Sequence, residues 1–159
     1  MEGFEGSVVA VFLAAEGGGV PQETPEVQAV AGRGLQGDRY FAGVGTFDTP
    51  AHANEPNRHV TLIEAEAIDA ARRDYDVALG LGEHRRNIVT RNVPLNHLVD
   101  REFTIGEVRL RGVKLCEPCA HMEGLSKPGA RRALTHRGGL RAEILESGTI
   151  RAGDPISPV

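Results

Sequence analysis

Glu102-Phe103-Thr104-Ile105-Gly106-Glu107-Val108-Arg109-Leu110-Arg111-Gly112-Val113-Lys114-Leu115-Cys116 is the stretch whose reading decides the fold. Apolar residues alternate with polar ones on either side of Ile105-Gly106-Glu107, with Phe103 and Ile105 on one arm and Val108, Leu110, Val113 and Leu115 on the other. A period of two marks a half-buried strand, so the stretch predicts two strands about a tight turn. The phase slips at Gly112, and a glycine at a phase slip predicts a β-bulge. The second arm ends on a cysteine.

Outward from this hairpin the strand signals continue. Gly6 to Ala14 is an apolar, β-branched run closed by Gly17-Gly18-Gly19, which predicts a buried strand. Pro25 to Val30 alternates and predicts a second one. Between Gly32 and Tyr40, three glycines within six residues (Gly32, Gly34, Gly37) predict positive φ or close backbone approach. This loop has no Gly-Lys-Ser/Thr ending and no amphipathic helix after it, so a nucleotide-phosphate loop is not expected. Residues 41–58 have no period and predict a long loop. Thr61 with Glu64 matches a capping box, and Ala65, Ile68, Ala71, Tyr75 and Leu79 recur at helical steps, predicting a helix over 62–77 ended by Gly80 and Gly82. A short strand over 85–90 and a short helix within 126–134 follow. Residues 141–146, a Ser147-Gly148 turn and 149–156 then predict a closing hairpin. Strands dominate, helices are few and there are 20 glycines, so the expected fold is mainly β, a β-barrel-like single domain over 1–159 with helical insertions.

Composition narrows the function. A chain of 159 residues with 40% hydrophobic and 25% charged content suits one domain with a real core. No run approaches the roughly 20 apolar residues of a membrane helix, and the first residues carry acid where a secretory signal would be basic, so a cytoplasmic location is expected. Two cysteines are too few for a disulfide scaffold, and both are expected to be reduced there. The net charge of −4 conceals an asymmetry: residues 1–84 hold five Arg and no Lys against fourteen acids, residues 85–159 thirteen basic residues against eight acids. Lys127, Arg131, Arg132, Arg137 and Arg141 lie in a segment without an acid, which favours either an anionic ligand or a solvated basic face. Arg85-Arg86-Asn87 offers guanidinium forks and an amide suited to phosphate or carboxylate oxygens, though a surface turn reads the same way. With no Trp and 4% aromatic content, nucleic acid is not an expected partner, nor is a membrane.

Both cysteines fall in Cys116-Glu117-Pro118-Cys119, inside the basic half. A thiol acts as nucleophile, sulfur carrier or soft-metal ligand only as thiolate, a form that basic neighbours favour. Several chemistries fit the pair. Zinc could use Cys116, Cys119 and His121, although no second Cys-x-x-Cys or His pair accompanies them. A thioredoxin-like dithiol fits the wording but not the position after a hairpin, and two inert core thiols also fit.

One resemblance ties these pieces together. Gly34-Leu35-Gln36-Gly37-Asp38-Arg39, His59-Val60-Thr61-Leu62-Ile63-Glu64, Arg86-Asn87-Ile88, Pro118-Cys119 and Arg137-Gly138-Gly139-Leu140-Arg141-Ala142-Glu143-Ile144-Leu145, ending in Gly153-Asp154-Pro155-Ile156, occur in order. Together they resemble the MOSC domain, named for the C-terminal domain of molybdenum cofactor sulfurase, over nearly the whole chain. The resemblance implies a β-barrel with one characteristic cysteine. Some members bind the molybdenum cofactor through it and reduce N-hydroxylated compounds with a partner's electrons; others carry sulfur received from a pyridoxal-phosphate-dependent desulfurase. On this match Cys119 is the family cysteine and the metal ligand, and Cys116 is a second thiol, both expected in catalysis. Arg39, Asp38, His59, Arg86, Asn87 and Arg137 are expected to bind the small anionic cofactor. The chain is expected to stand without the larger members' additional modules, and Lys114 and Lys127 have no Schiff-base setting. A redox partner or a cysteine desulfurase is therefore expected, with any pyridoxal phosphate on that partner.

Overall fold

The computed structural model describes residues 3–43, 45 and 55–159. Its strands in chain order are β1 (Gly6–Leu13), β2 (Gln22–Thr24), β3 (Glu26–Val30), β4 (Gly34–Leu35), β5 (Val60–Glu64), β6 (Ile88–Arg91), β7 (Glu102–Ile105), β8 (Val108–Leu115), β9 (Leu140–Glu146), β10 (Gly148–Arg151) and β11 (Pro155–Pro158). The helices are α1 (Ala65–Tyr75), α2 (Ala120–Leu125) and α3 (Ala130–Ala133). Strands β11-β7-β8-β9-β5-β6-β1 are neighbours in that order, and pairing of β1 with β11 closes them into a seven-stranded barrel that β2 extends. A small sheet, β10-β3-β4, stands beside it. Closure leaves the main sheet without the open edges that invite pairing with other chains. Among the described residues no helix is long and apolar enough to cross a membrane.

Two apolar clusters explain the strand sequences. Val11, Leu62, Ile88, Phe103, Ile105, Leu110, Leu140 and Ile144 pack together in one of them, each at most 2% exposed. The alternate residues Ala10, Phe12, Ile63 and Val89 turn the other way and meet α1, α2 and α3 through Ala67, Ala71, Met122, Ala130, Ala133 and Leu134. Strands β1, β5 and β6 are thus buried on both faces, which is why their sequences read as apolar runs rather than alternations. Small residues on α1 and α3 let the two helices approach closely.

The β7–β8 hairpin forms with Phe103 opposite Leu110 and Ile105 opposite Val108. The bulge foreseen at Gly112 is present: the β8–β9 register shifts between Gly112 and Lys114. Gly112 lies against the Leu98 carbonyl, where a Cβ has no room, and its N–H donates to Arg101 O at 3.0 Å. The bulge realigns the end of β8, so that Leu115 sits opposite Leu140 and the Cys116 N–H reaches Gly139 O at 2.7 Å.

Two expectations are corrected. The capping box does not start a helix: Thr61 belongs to β5, α1 begins at Ala65, and Glu64 makes no side-chain cap. The run Val60 to Glu64 is claimed from both sides, antiparallel by β9 and parallel by β6, and these ladders override a local cap. The helix also ends early, because Asp76 takes a left-handed φ of 55°. Nor do residues 141–156 close as a hairpin. β9 pairs with β5 and β8, whereas β10 crosses to β3. Of the predicted long loop, Pro56–Arg58 form a 3-10 turn, while residues 44 and 46–54 lie outside the described residues.

Candidate functional site

At one end of the barrel several connections converge on a pocket of about 60 Å³ lined by Arg39, Tyr40, Thr61, Arg85, Arg86, Cys116, His121, Leu125 and Arg141. Four arginines, Arg39, Arg85, Arg86 and Arg141, line so small a space and make its lining strongly cationic. The charge is felt within the protein: Arg85 is held below the usual arginine range, first by burial, then by the positive charge of Arg39, with Arg86 adding to it. Arg85 also adopts φ 61°, a left-handed conformation that costs a side-chain-bearing residue of order 1–3 kcal/mol. Its Nη1 donates to Gly19 O at 2.9 Å.

Asp38 is the support of the Arg39 wall. It is 2% exposed; its Oδ1 accepts from the Ala14 N–H at 3.1 Å, from Asn87 Nδ2 at 3.3 Å and from Arg39 Nη1 at 3.3 Å. The Asp38 N–H donates to Leu35 O at 3.0 Å, a turn that Gly37 completes at φ 95°. Asn87 is spent in full on the backbone and its neighbours. Its Oδ1 accepts from the Thr61 N–H at 3.0 Å and the Thr61 hydroxyl at 3.1 Å, and its Nδ2 also donates to Phe12 O at 3.2 Å. This one amide joins β1, β5, the Asp38 turn and the start of β6.

Arg86 both lines the pocket and shapes it. Its Nε donates to Gly138 O at 2.8 Å and its Nη2 to Cys116 O at 2.9 Å, so a buried guanidinium clamps the cysteine segment against the Gly138-Gly139 turn. Behind it, His84 accepts the Arg86 N–H at Nδ1, 3.0 Å away, and lies edge-on to Phe12 at 4.9 Å. Burial, followed by the Arg86 charge, pushes His84 down to about 4.

The residues singled out from the sequence divide three ways. Arg39, Arg86 and Cys116 are in the wall, and Asp38 and Asn87 stand behind it as supports. Cys119, half-buried, is the N-cap of α2: its Sγ accepts the Met122 N–H at 3.5 Å, and it packs against the helix-side cluster rather than lining the pocket. His59 and Arg137 are elsewhere. His59 is 3% exposed, and its Nδ1 accepts the Ile144 N–H at 3.0 Å, tying β9 to the segment before β5. Arg137 donates to Ala133 O and to Asp74 Oδ2, at 2.8 and 3.0 Å, on the outer face of α1 and α3. Arg85 and Arg141, which the sequence marked as possible anion-holding groups but not among the cofactor-binding residues, also line it, whereas Tyr40, Thr61, His121 and Leu125 were not foreseen there, though each adjoins or lies within a quoted motif or the helix after it. Both cysteines are free thiols. Among the described residues no three His, Cys, Asp or Glu side chains converge as a metal site, so the zinc set of Cys116, Cys119 and His121 has no geometric support.

Comparison with known proteins follows the same outline. YuaD protein from Bacillus subtilis superposes with a TM-score of 0.80 at 15% identity, over 98% of this chain and 96% of that one. YiiM from Geobacillus stearothermophilus gives 0.73 at 12% identity, over 97% and 75%, and YiiM from Escherichia coli gives 0.63 at 13%, over 100% and 70%. No curated protein matches the sequence. At these identities the likeness speaks for the barrel alone. The family model of the MOSC domain, however, matches residues 49–157, a span that includes β5 to β10, most of β11 and most of the pocket wall. The chain therefore belongs to the MOSC domain family.

Proposed function

We propose that the protein binds the molybdenum cofactor, with the pocket arginines holding an oxyanion end of it and a cysteine thiolate meeting the metal, and reduces N-hydroxylated compounds with electrons from a separate protein. The observation that carries this reading is the pairing of Arg39, Arg85, Arg86 and Arg141 with a thiol in one wall. Guanidinium groups match oxyanions in charge and fork geometry, and sulfur is a soft-metal donor. The volume also fits. About 60 Å³ is room for about four waters, close to the five heavy atoms of a tetrahedral oxyanion, so the enclosed part suits a phosphate or metal-oxo group.

When bound, the cofactor supplies the redox centre. The chain's own residues do the rest: the arginines neutralise the anion, Asp38 holds Arg39, and Arg86 fixes the Cys116 carbonyl. Arg86, buried at 6% exposure, is the arginine of the wall whose charge water screens least. A reducing cytoplasm would keep both thiols available.

A second reading rests on Cys119. It is half-buried and does not line the pocket, and Cys116 precedes it by three residues, a Cys-x-x-Cys spacing known in thiol exchange. A persulfide received from a desulfurase would sit there. Metal analysis of protein made in a cofactor-competent host separates the readings. Molybdenum near one per chain, lost in Arg86→Gln, supports the first; no molybdenum but acquired cyanide-labile sulfur supports the second, and stoichiometric zinc sinks both.

A further inference from the structure

We infer that Tyr40 is a catalytic residue of this pocket: its phenol hydroxyl donates to the ligand oxygen that the arginines gather, and gives such an oxygen its proton when the N–O bond of a substrate is reduced. The proton transfer rests on the reductase reading above, whereas the hydrogen bond needs only that the pocket take an oxyanion.

Four observations carry it. The first is placement. Tyr40 lines the pocket beside Arg39, Arg85 and Arg86. Its N–H donates to Asp38 Oδ2 at 3.4 Å, so the buried carboxylate that holds the Arg39 guanidinium also holds the Tyr40 backbone. The second is orientation. Arg39 Cζ lies 4.8 Å and Arg58 Cζ 5.9 Å from the ring centroid, and Gly45 packs so closely on Cδ1, Cε1 and Cζ that a Cβ there has no room. With the ring covered in this way, the hydroxyl is what Tyr40 has to offer a ligand. Burial and then the Arg39 charge hold Arg85 down, and an ionised Tyr40 acts on it in the opposite sense, which puts the phenol oxygen within electrostatic reach of that guanidinium. The third is availability. Among the described residues the hydroxyl has no hydrogen-bond partner, although a partly buried phenol ordinarily finds one.

The fourth is the inventory of protons in the wall. Arginine does not give one up. The Thr61 hydroxyl lies 3.1 Å from Asn87 Oδ1, an oxygen fixed as acceptor because the same amide's Nδ2 faces Phe12 O, so the Thr61 proton is already spent. Cys116 is buried, with contacts through its backbone N–H and carbonyl, and His121 is exposed on α2. Tyr40 alone combines a clamped ring, an uncommitted O–H and cations beside it. Reduction of an N-hydroxylated compound takes two electrons from the partner protein and two protons, and releases water. Tyr40 Oη gives one proton to the oxygen as the N–O bond breaks, and that oxygen leaves as water. Solvent gives the second proton to nitrogen and then restores the phenol. The transient phenolate is offset by Arg39 and Arg85.

The chain has two tyrosines and no tryptophan, so in Tyr75→Phe the ultraviolet fluorescence is that of Tyr40. In the full chain free of cofactor, molybdate and sulfate are each expected to quench this emission saturably, at the Kd that calorimetry gives. Tyr40→Phe keeps the ring against Arg39, Arg58 and Gly45 and removes only the hydroxyl. It should weaken both anions about tenfold or more, the loss of a hydrogen bond to a charged group. Turnover is then measured on molybdenum-loaded protein at equal metal content, with a reduced viologen as electron donor and an N-hydroxyguanidine as substrate. Tyr40→Phe should lower kcat about a hundredfold or more with KM changed less than about threefold, while Tyr75→Phe alters neither. Anion binding without quenching, or a loss below about twofold in Tyr40→Phe, overturns the contact and the proton transfer with it. A kcat in Tyr40→Phe within about threefold of the wild type overturns the proton transfer alone. No turnover by the wild type overturns the reductase reading and the donor role that rests on it, and no binding of either anion overturns the oxyanion reading together with the contact.

Discussion

His84 gives the sharpest test of how the pocket is built, because its environment sets both a charge state and a hydrogen bond. Burial in an apolar setting beside Phe12, reinforced by the Arg86 charge, lowers the imidazole from 6.5 to about 4. The neutral ring is required structurally as well: Nδ1 accepts the Arg86 N–H at 3.0 Å, and a protonated ring has no lone pair to offer. The folded state therefore resists protonation that the unfolded chain accepts freely. Between pH 6.5 and 4 the unfolded state binds more protons, so stability is complete above pH 6.5 and falls as pH drops through the folded value. The full shift corresponds to about 3 kcal/mol, and at pH 5 the loss relative to pH 8 is about 2 kcal/mol. For a chain of this size that is a decrease in Tm of about 4–8 °C.

The control is His84→Asn, whose Oδ1 can accept the same N–H without titrating. Urea unfolding of both proteins is measured at pH 8, 6 and 5. The variant is expected to be less stable at pH 8, because it fills less of the site, but its stability should change by about 2 kcal/mol less than the wild type's on going to pH 5. Oxyanion affinity, a property of the folded protein, should by contrast hold down to about pH 5 and fall only as pH approaches 4, where a protonated His84 repels Arg86 and surrenders its N–H. Parallel stability curves for the two proteins from pH 8 to 5 would refute the reasoning.

The other interactions make further demands. Asn87→Ala removes four hydrogen bonds at a buried junction, at about 1 kcal/mol each, and should lower Tm by about 8–16 °C; a change under 3 °C by calorimetry would show that water replaces the amide without cost. Gly138→Ala forces a Cβ to 2.5 Å from Cys116 O, and the shift should abolish molybdate binding in calorimetry while a folded near-ultraviolet dichroism spectrum persists. Sulfate at about 100 times its Kd should raise Tm by about 5–10 °C beyond chloride of equal ionic strength, from about 3 kcal/mol of linkage. Arg39→Gln should weaken sulfate binding about tenfold or more through loss of a charge-assisted contact, and an unchanged affinity would remove Arg39 from the site.

What the sequence disclosed and what it concealed follow from the range of the forces involved. The β7–β8 hairpin, the Gly112 bulge and the burial of β1 were legible because period and glycine placement act within a few residues. The start of α1 was misread because Thr61 and Glu64 obey a local rule that two strand ladders, to β6 and β9, outweigh. The partner of β10 was invisible for the same reason: a Ser147-Gly148 turn suggests a return, yet β3, more than a hundred residues earlier, takes the strand. The site was half legible. Arg39 and Arg86 stood out as charges in ordered motifs. Thr61 and Arg141, from neighbouring strands β5 and β9, were concealed, since whether a strand residue faces a pocket depends on register between segments eighty residues apart. Arg137 shows the converse, a cation in a basic segment that the chain direction at Gly138-Gly139 sends to Asp74 instead.

The same geometry explains why the pocket holds arginines at a cost to the fold. Arg85 sits at a positive φ, Arg86 is 6% exposed, and Arg85 feels the charges of Arg39 and Arg86, while Asp38 is the carboxylate bonded to Arg39. None of this stabilises a barrel whose core is already closed by Phe103, Leu110, Leu140 and their neighbours. A lysine at position 86 would be as positive, but its single ammonium could not span Gly138 O and Cys116 O while still presenting charge to the pocket; a guanidinium, with five donors in a rigid plane, does both. The pocket's charge and the cysteine segment are thus joined through one side chain: the guanidinium that lines the pocket also holds the Cys116 carbonyl. If the proposed oxyanion binds there, its charge would offset the mutual repulsion of Arg39, Arg85 and Arg86, so part of what the fold spends on placing these cations would return as affinity.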